Sequence, residues 1–141
     1  MHVNDIREIE LTLGITLPDH FINYIIPYPQ SLTLLKERMG HMFFIYDNSQ
    51  QLILMNQMLG VHGSEKYIKH KLAIGENGGG DYYFIDLQNP KDQKVYFYDH
   101  EESTENYYDP ERDEWQWHKL EFYANLKAYE EDLLSMFEDD Y

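Results

Sequence analysis

Cysteine is absent from the 141 residues, which excludes a disulfide framework, a thiolate nucleophile and cysteine-ligated zinc, and suits a reducing cytosol. Positive charge is scarce: 11 Lys and Arg stand against 26 Asp and Glu, a net charge of −15. No apolar run approaches the ~20 residues that span a bilayer. The opening MHVNDIREIE lacks the basic and then apolar pattern of a signal peptide. Internal repeats and low-complexity linkers are also missing. These absences lead us to expect a cytoplasmic protein forming a single domain over residues 1–141.

What is present in quantity is aromatic and acidic. The chain has 13 Tyr, 7 Phe and 2 Trp, large side chains that dominate the energetics of a core. The acid is unevenly placed: residues 71–141 carry 19 carboxylates against 6 basic side chains, whereas residues 1–70 carry 7 against 5. A field of this sign repels phosphate backbones and anionic lipid, which argues against nucleic-acid and membrane partners. It favours a basic protein partner and speeds encounter with one.

Local patterns place the elements. Ile6, Ile9 and Leu13 follow a helical repeat, with Asn4 or Asp5 as cap and Gly14 as stop. A second helix is expected from Leu17-Pro18, Pro18 taking the first helical position, until Pro27 and Pro29 end it. Residues 42–46 read as a strand, and residues 50–59 as a helix capped by Asn48 or Ser49 and closed by Gly60 and Gly63. Strands are expected at 71–74, 81–87 and 94–98, since aromatic and β-branched side chains suit a half-buried pleated surface. Gly78, Gly79 and Gly80, with Gly75 before them, read as a structural turn or bulge where backbones approach closely. Residues 101–114 lack an apolar period and read as an exposed acidic loop, with a short strand near 114–118. A last helix is capped by Asn125, with Leu126, Tyr129, Leu133, Leu134 and Phe137 on one side and Glu130, Glu131 and Asp132 on the other. The order of elements predicts an α+β fold, an antiparallel meandering sheet flanked by N-terminal and C-terminal helices.

These residues resemble the SUKH superfamily, which contains yeast cell-wall synthesis regulators and bacterial toxin-immunity proteins. The resemblance rests on Ile74-Gly75, Gly78-Gly79-Gly80-Asp81, Ile85-Asp86-Leu87, and Val95-Tyr96 leading to Asp99-His100-Glu101. Ile9-Glu10, Leu13-Gly14, Leu17-Pro18 and Phe21 match as well, as do Ala124-Asn125-Leu126, Tyr129 and Leu133. The chain departs from the family where an Asn-Gly-Gly turn often follows the Leu-Pro helix; here Ile26-Pro27-Tyr28-Pro29 stands instead. The resemblance implies an α+β domain without a shared catalytic set, and a binding role: capture of a cognate toxin, often a nuclease. The alternative it implies is a regulatory scaffold of cell-wall glucan synthesis.

Catalytic and ligand-binding chemistry finds little footing. The glycine run is followed by Asp81 and a strand, not by the Lys and helix that a phosphate loop needs. Asp99 and His100 follow the strand expected at 94–98 and would converge only if that strand had already ended; they read as a strand-end turn satisfying backbone groups, and no second His lies three or four positions from His100. No serine sits in a nucleophile elbow, and no carboxylate pair stands out. We therefore expect no catalytic residue, no cofactor and no metal. The expected partner surface is acid beside aromatic rings: Asp81, Glu101, Glu102, Glu105, Asp109, Glu111 and Glu114 with Tyr107, Tyr108 and Trp115. Rings rimmed by carboxylates suit an Arg- and Lys-rich partner, such as a toxin domain, through cation–π contact and ion pairing.

Overall fold

The computed structural model describes residues 1–39, 44–62, 71–77, 81–98, 107–109, 111–112 and 114–136. Helix α1 (Val3–Leu13) buries Ile6 and Ile9. Its cap is His2, not Asn4 or Asp5: Asp5 stands one turn inside and its carboxylate accepts the His2 N–H at 2.7 Å. Gly14 closes the helix in the left-handed region (φ 66°), where a side chain would be strained. Helix α2 (Asp19–Ile25) starts one residue later than expected, because Pro18 takes an extended cap conformation. Helix α3 (Gln30–Met39) was not foreseen; Pro29 begins it by accepting from the N–H groups of Leu32 and Thr33. Leu32 and Leu35 are its buried side.

The expected strand at 42–46 is reduced, among the described residues, to a bridge between Ile45 and Gly75. Helix α4 (Ser49–His62) begins where Asn48 Oδ1 accepts the Gln51 N–H at 2.8 Å, and it runs through Gly60 rather than stopping there. Strand β1 (Lys71–Glu76) covers the strand expected at 71–74 and runs two residues further, and β2 (Tyr82–Asp86) and β3 (Val95–Tyr98) fall where the aromatic and β-branched runs predict them. Strand β4 (Tyr108–Asp109) lies inside the segment expected to be a loop and pairs with β5 (Glu114–Trp115), which falls at the start of the short strand expected near 114–118. A 3₁₀ turn (Trp117–Lys119) leads to β6 (Glu121–Tyr123), and helix α5 (Leu126–Met136) ends the described chain. Asn125 caps α5 as expected, accepting the Ala128 N–H at 2.8 Å.

The main sheet is antiparallel with order β1-β2-β3-β6, which gives the predicted α+β class. Its two faces are both apolar. On one, Leu72, Ile74, Tyr83, Ile85 and Val95 meet Ile9, Phe21, Leu52 and Tyr129 from the helices. On the other, Ala73, Phe84, Tyr96 and Tyr98 pack with Leu120, Leu59 and Tyr107. The second cover therefore comes from the acidic segment and α4, not from a chain terminus. Lys71 is fully buried on this face, its ammonium 3.9 Å from the Phe84 ring centre and 5.0 Å from that of Tyr98. Burial pushes the Lys71 amine well below the usual lysine range, because removing water penalises the charged form.

The close backbone approach expected at the glycine run occurs at Gly75. Gly75 lies within β1 and not in a turn, beside a register shift between Ala73 and Gly75. A Cβ there would stand 2.9 Å from the Phe44 carbonyl oxygen and 3.0 Å from Ile45 Cα. Glycine is required because the 44–46 segment lies directly against the strand. Gly78, Gly79 and Gly80 lie outside the described residues.

Candidate partner-binding surface

The acidic segment is anchored by its aromatic residue and turned by its carboxylate. Tyr107 is half-buried and meets the Tyr98 ring edge-on at 5.6 Å, while its carbonyl accepts the Gln116 N–H at 2.7 Å. Asp109 Oδ1 accepts from the N–H groups of Glu111 (3.0 Å) and Arg112 (3.4 Å), an Asx-type turn that reverses the chain. Tyr108 then stands opposite Trp115 and Asp109 opposite Glu114. Glu111 and Glu114 are exposed. Arg112, 78% exposed, reaches Asp109 at 3.8 Å, a surface pair of small energetic weight. Glu101, Glu102 and Glu105 lie outside the described residues, as do Asp99 and His100.

Asp81 is separate from this hairpin. Its carboxylate accepts from Asn77 Nδ2 at 2.9 Å, its carbonyl accepts the Asn77 N–H at 3.2 Å, and its own N–H donates to Asn77 Oδ1 at 3.3 Å. These bonds draw the ends of the β1–β2 connection together, so Asp81 organises a turn between strands.

A larger concavity lies on the helical face of the sheet, beside β6. It encloses about 740 Å³, and its floor is built from Tyr83, Phe97, Tyr123 and Tyr129. The rings interlock, with centres 5.5 Å apart for Tyr83–Phe97, 4.7 Å for Tyr83–Tyr129 and 5.5 Å for Tyr123–Tyr129. Glu121 and Met136 border the opening. The Tyr123 hydroxyl donates to Asp132 at 2.6 Å, and burial together with that carboxylate pushes the Tyr123 phenol up, so it stays a neutral donor. Size and composition fall in the range of sites that take a side chain or small molecule. Among the described residues, no group of three or more potential metal ligands comes together.

The sheet's two edges differ. At β1, the Asn56 side chain donates to the Ala73 carbonyl at 2.9 Å and accepts the Ala73 N–H at 2.8 Å. Tyr46 N–H adds a bond to the Ile74 carbonyl at 2.9 Å. The Ile45 carbonyl is itself held by the Tyr28 hydroxyl and by the Lys36 ammonium at 2.7 Å. The β1 edge is thereby closed. Beyond β6, no further strand is paired among the described residues.

Sequence reasoning missed Asn56, β6 and the buried role of Glu130. Asn56 was legible as a polar side chain four positions after Leu52 on an otherwise apolar helix face. Glu130, expected on the solvent side of α5, is buried, accepting from the Tyr24 hydroxyl (3.0 Å) and the Lys127 ammonium (2.6 Å). Strand β6 has three residues, too few for a period to register.

An antiparallel sheet under helices thus carries an aromatic groove beside β6 and, packed on its other face through Tyr107, an acid hairpin. The chain belongs to the SMI1-KNR4 cell-wall family SUKH_6, whose model matches residues 4–115. Comparison with curated proteins finds no match, and neither does comparison with solved structures.

Proposed function

We propose that this chain is a non-catalytic immunity protein that neutralises a cognate toxin domain, often a nuclease, by capturing it in the cytoplasm. The observation that carries the reading is the concentration of negative charge on residues 71–141, part of it displayed by a hairpin whose Tyr107 is anchored on the sheet. Exposed carboxylates on a fixed support steer a basic partner and add specificity at little reorganisation cost. The same field disfavours nucleic acid and anionic membrane as direct partners. No helix among the described residues is long and apolar enough to cross a membrane.

The test replaces Glu101, Glu102, Glu105, Glu111 and Glu114 by Gln and measures association with the toxin domain that rescue of growth identifies. The expected result is a slower on-rate with a flatter salt dependence; unchanged kinetics would remove the acidic segment as the docking face. A second reading, a regulatory scaffold for cell-wall synthesis, is favoured by the description of the matching family. Co-expression of this chain with the adjacent open reading frame separates the two: immunity predicts that the neighbour is toxic alone and that this chain rescues growth, and scaffolding predicts no rescue.

A further inference from the structure

We infer that the open β6 edge takes up an extended segment of the basic partner as a fifth strand, with alternate Arg or Lys side chains entering the aromatic groove beside it. This deepens the capture reading above and rests on it. The first argument is the inequality of the edges. Asn56 and the 44–46 segment occupy the main-chain groups along β1, whereas β6 ends the sheet among the described residues. Alternate residues of an edge strand turn N–H and C=O outward, a template for another chain.

The second argument is what lies on either side of that edge. All three residues of β6 border the 740 Å³ groove. Register places Glu121 and Tyr123 opposite Phe97 and Val95, on the helical face. Exposed Glu121, and Asp132 held to the Tyr123 hydroxyl, supply negative charge there. A cation placed among these rings gains from their faces and from the carboxylates together. Phe122 points to the opposite face, 52% exposed, with the Lys94 ammonium 5.0 Å from its ring centre. That ring already carries a cation. An incoming strand therefore fits when its bases alternate onto the groove side and neutral residues fall beside Phe122, a period-two selection. Three residues of edge provide few main-chain bonds, so the groove must supply much of the affinity.

The experiment titrates a fluorescein-labelled short peptide of alternating Arg and Thr into the full chain, followed by anisotropy and by amide exchange at residues 121–123. The expected result is saturable binding with slowed exchange at those amides. Affinity should fall about tenfold when alternate peptide amides are N-methylated, and about as much for Glu121→Lys. Glu111→Lys, the same charge change on the hairpin, should leave this peptide's affinity within about twofold. Three results overturn the proposal: no binding at millimolar peptide, equal binding of the N-methylated peptide, or equal weakening by the two Lys variants. Sedimentation showing a dimer with residues 121–123 protected would also overturn it, assigning the edge to a second copy of the chain. Growth rescue by the co-expressed chain is read separately, so toxin capture can stand when strand addition fails.

Discussion

The two edges of this sheet face opposite problems. At β1 the main chain is buried against α4 and the 44–46 segment, and every polar group taken from water there needs a partner. Asn56 meets that need for Ala73 with both ends of one amide, and Gly75 lets the neighbouring backbone come within van der Waals range. At β6 the strand is three residues long, with Glu121 and Phe122 exposed. Among the described residues no strand pairs with its outer side. The first edge is a seam of the core and the second is a surface, although both belong to one sheet of four strands. Edge position alone therefore says nothing about availability; what packs outside the edge decides it.

Substitutions at the two edges should separate them by energy. The largest effect is expected from Asn56→Ala, which leaves a buried N–H and a buried C=O without partners. At about 1–3 kcal/mol for each orphaned group, the chain should lose roughly 3 kcal/mol in urea unfolding. A loss under about 0.5 kcal/mol would mean that water replaces the amide and that the edge is not sealed. Next comes Gly75→Ala. The added methyl would meet backbone atoms at 2.9–3.1 Å, and because neither backbone can swing aside as a side chain does, a cost of about 1–3 kcal/mol is expected. A neutral result would show that the 44–46 segment moves freely away from β1.

At the other edge, Phe122→Thr should change stability by only about 0.5 kcal/mol, since a ring 52% exposed gives up little buried area. A penalty comparable to that of Gly75→Ala would show that β6 is a structural seam as well. The smallest effect concerns His20, which belongs to neither edge. Burial lowers its pKa, opposed by Asp92 and Asp19. The unfolded chain therefore takes up a proton that the folded chain resists, and stability falls as pH drops below the ordinary histidine value of about 6.5. Unfolding midpoints at neutral and mildly acidic pH, compared between the natural chain and His20→Asn, should show a shallower decline in the variant. Equal slopes would mean that His20 protonates as freely when folded as when unfolded.

The residues at these edges were unequally legible. β2 and β3 were evident because each is a run of aromatic and β-branched side chains bounded by turn residues, and β1 because the apolar Leu72-Ala73-Ile74 run precedes them; the sheet that they form buries both faces. β6 was not, because Glu121, Phe122 and Tyr123 become a strand only through pairing with Phe97, Tyr96 and Val95. The same holds for the acidic segment. Nothing in residues 101–113 marks a strand, yet Tyr108–Asp109 pairs with Glu114–Trp115, the start of the strand expected near 114–118, once Asp109 turns the chain and Tyr107 finds Tyr98. Helix α3 was passed over after Pro29, although Leu32 and Leu35 stand at helical spacing. Glu130 defeated the amphipathic rule, because Tyr24, 106 positions earlier in the chain, supplies its hydrogen bond.

Local chemistry was enough to set the elements with strong periodicity, the α+β order, the stop at Gly14, the caps at Asn48 and Asn125, and the lopsided negative charge. Each depends on neighbours a few positions away, and a chain of known sequence carries those neighbours with it. Which edge is closed, where a glycine is indispensable, which carboxylate is buried and which rings meet to form a groove were decided by tertiary structure. Those properties come from groups far apart in the chain whose meeting depends on how all the layers pack at once.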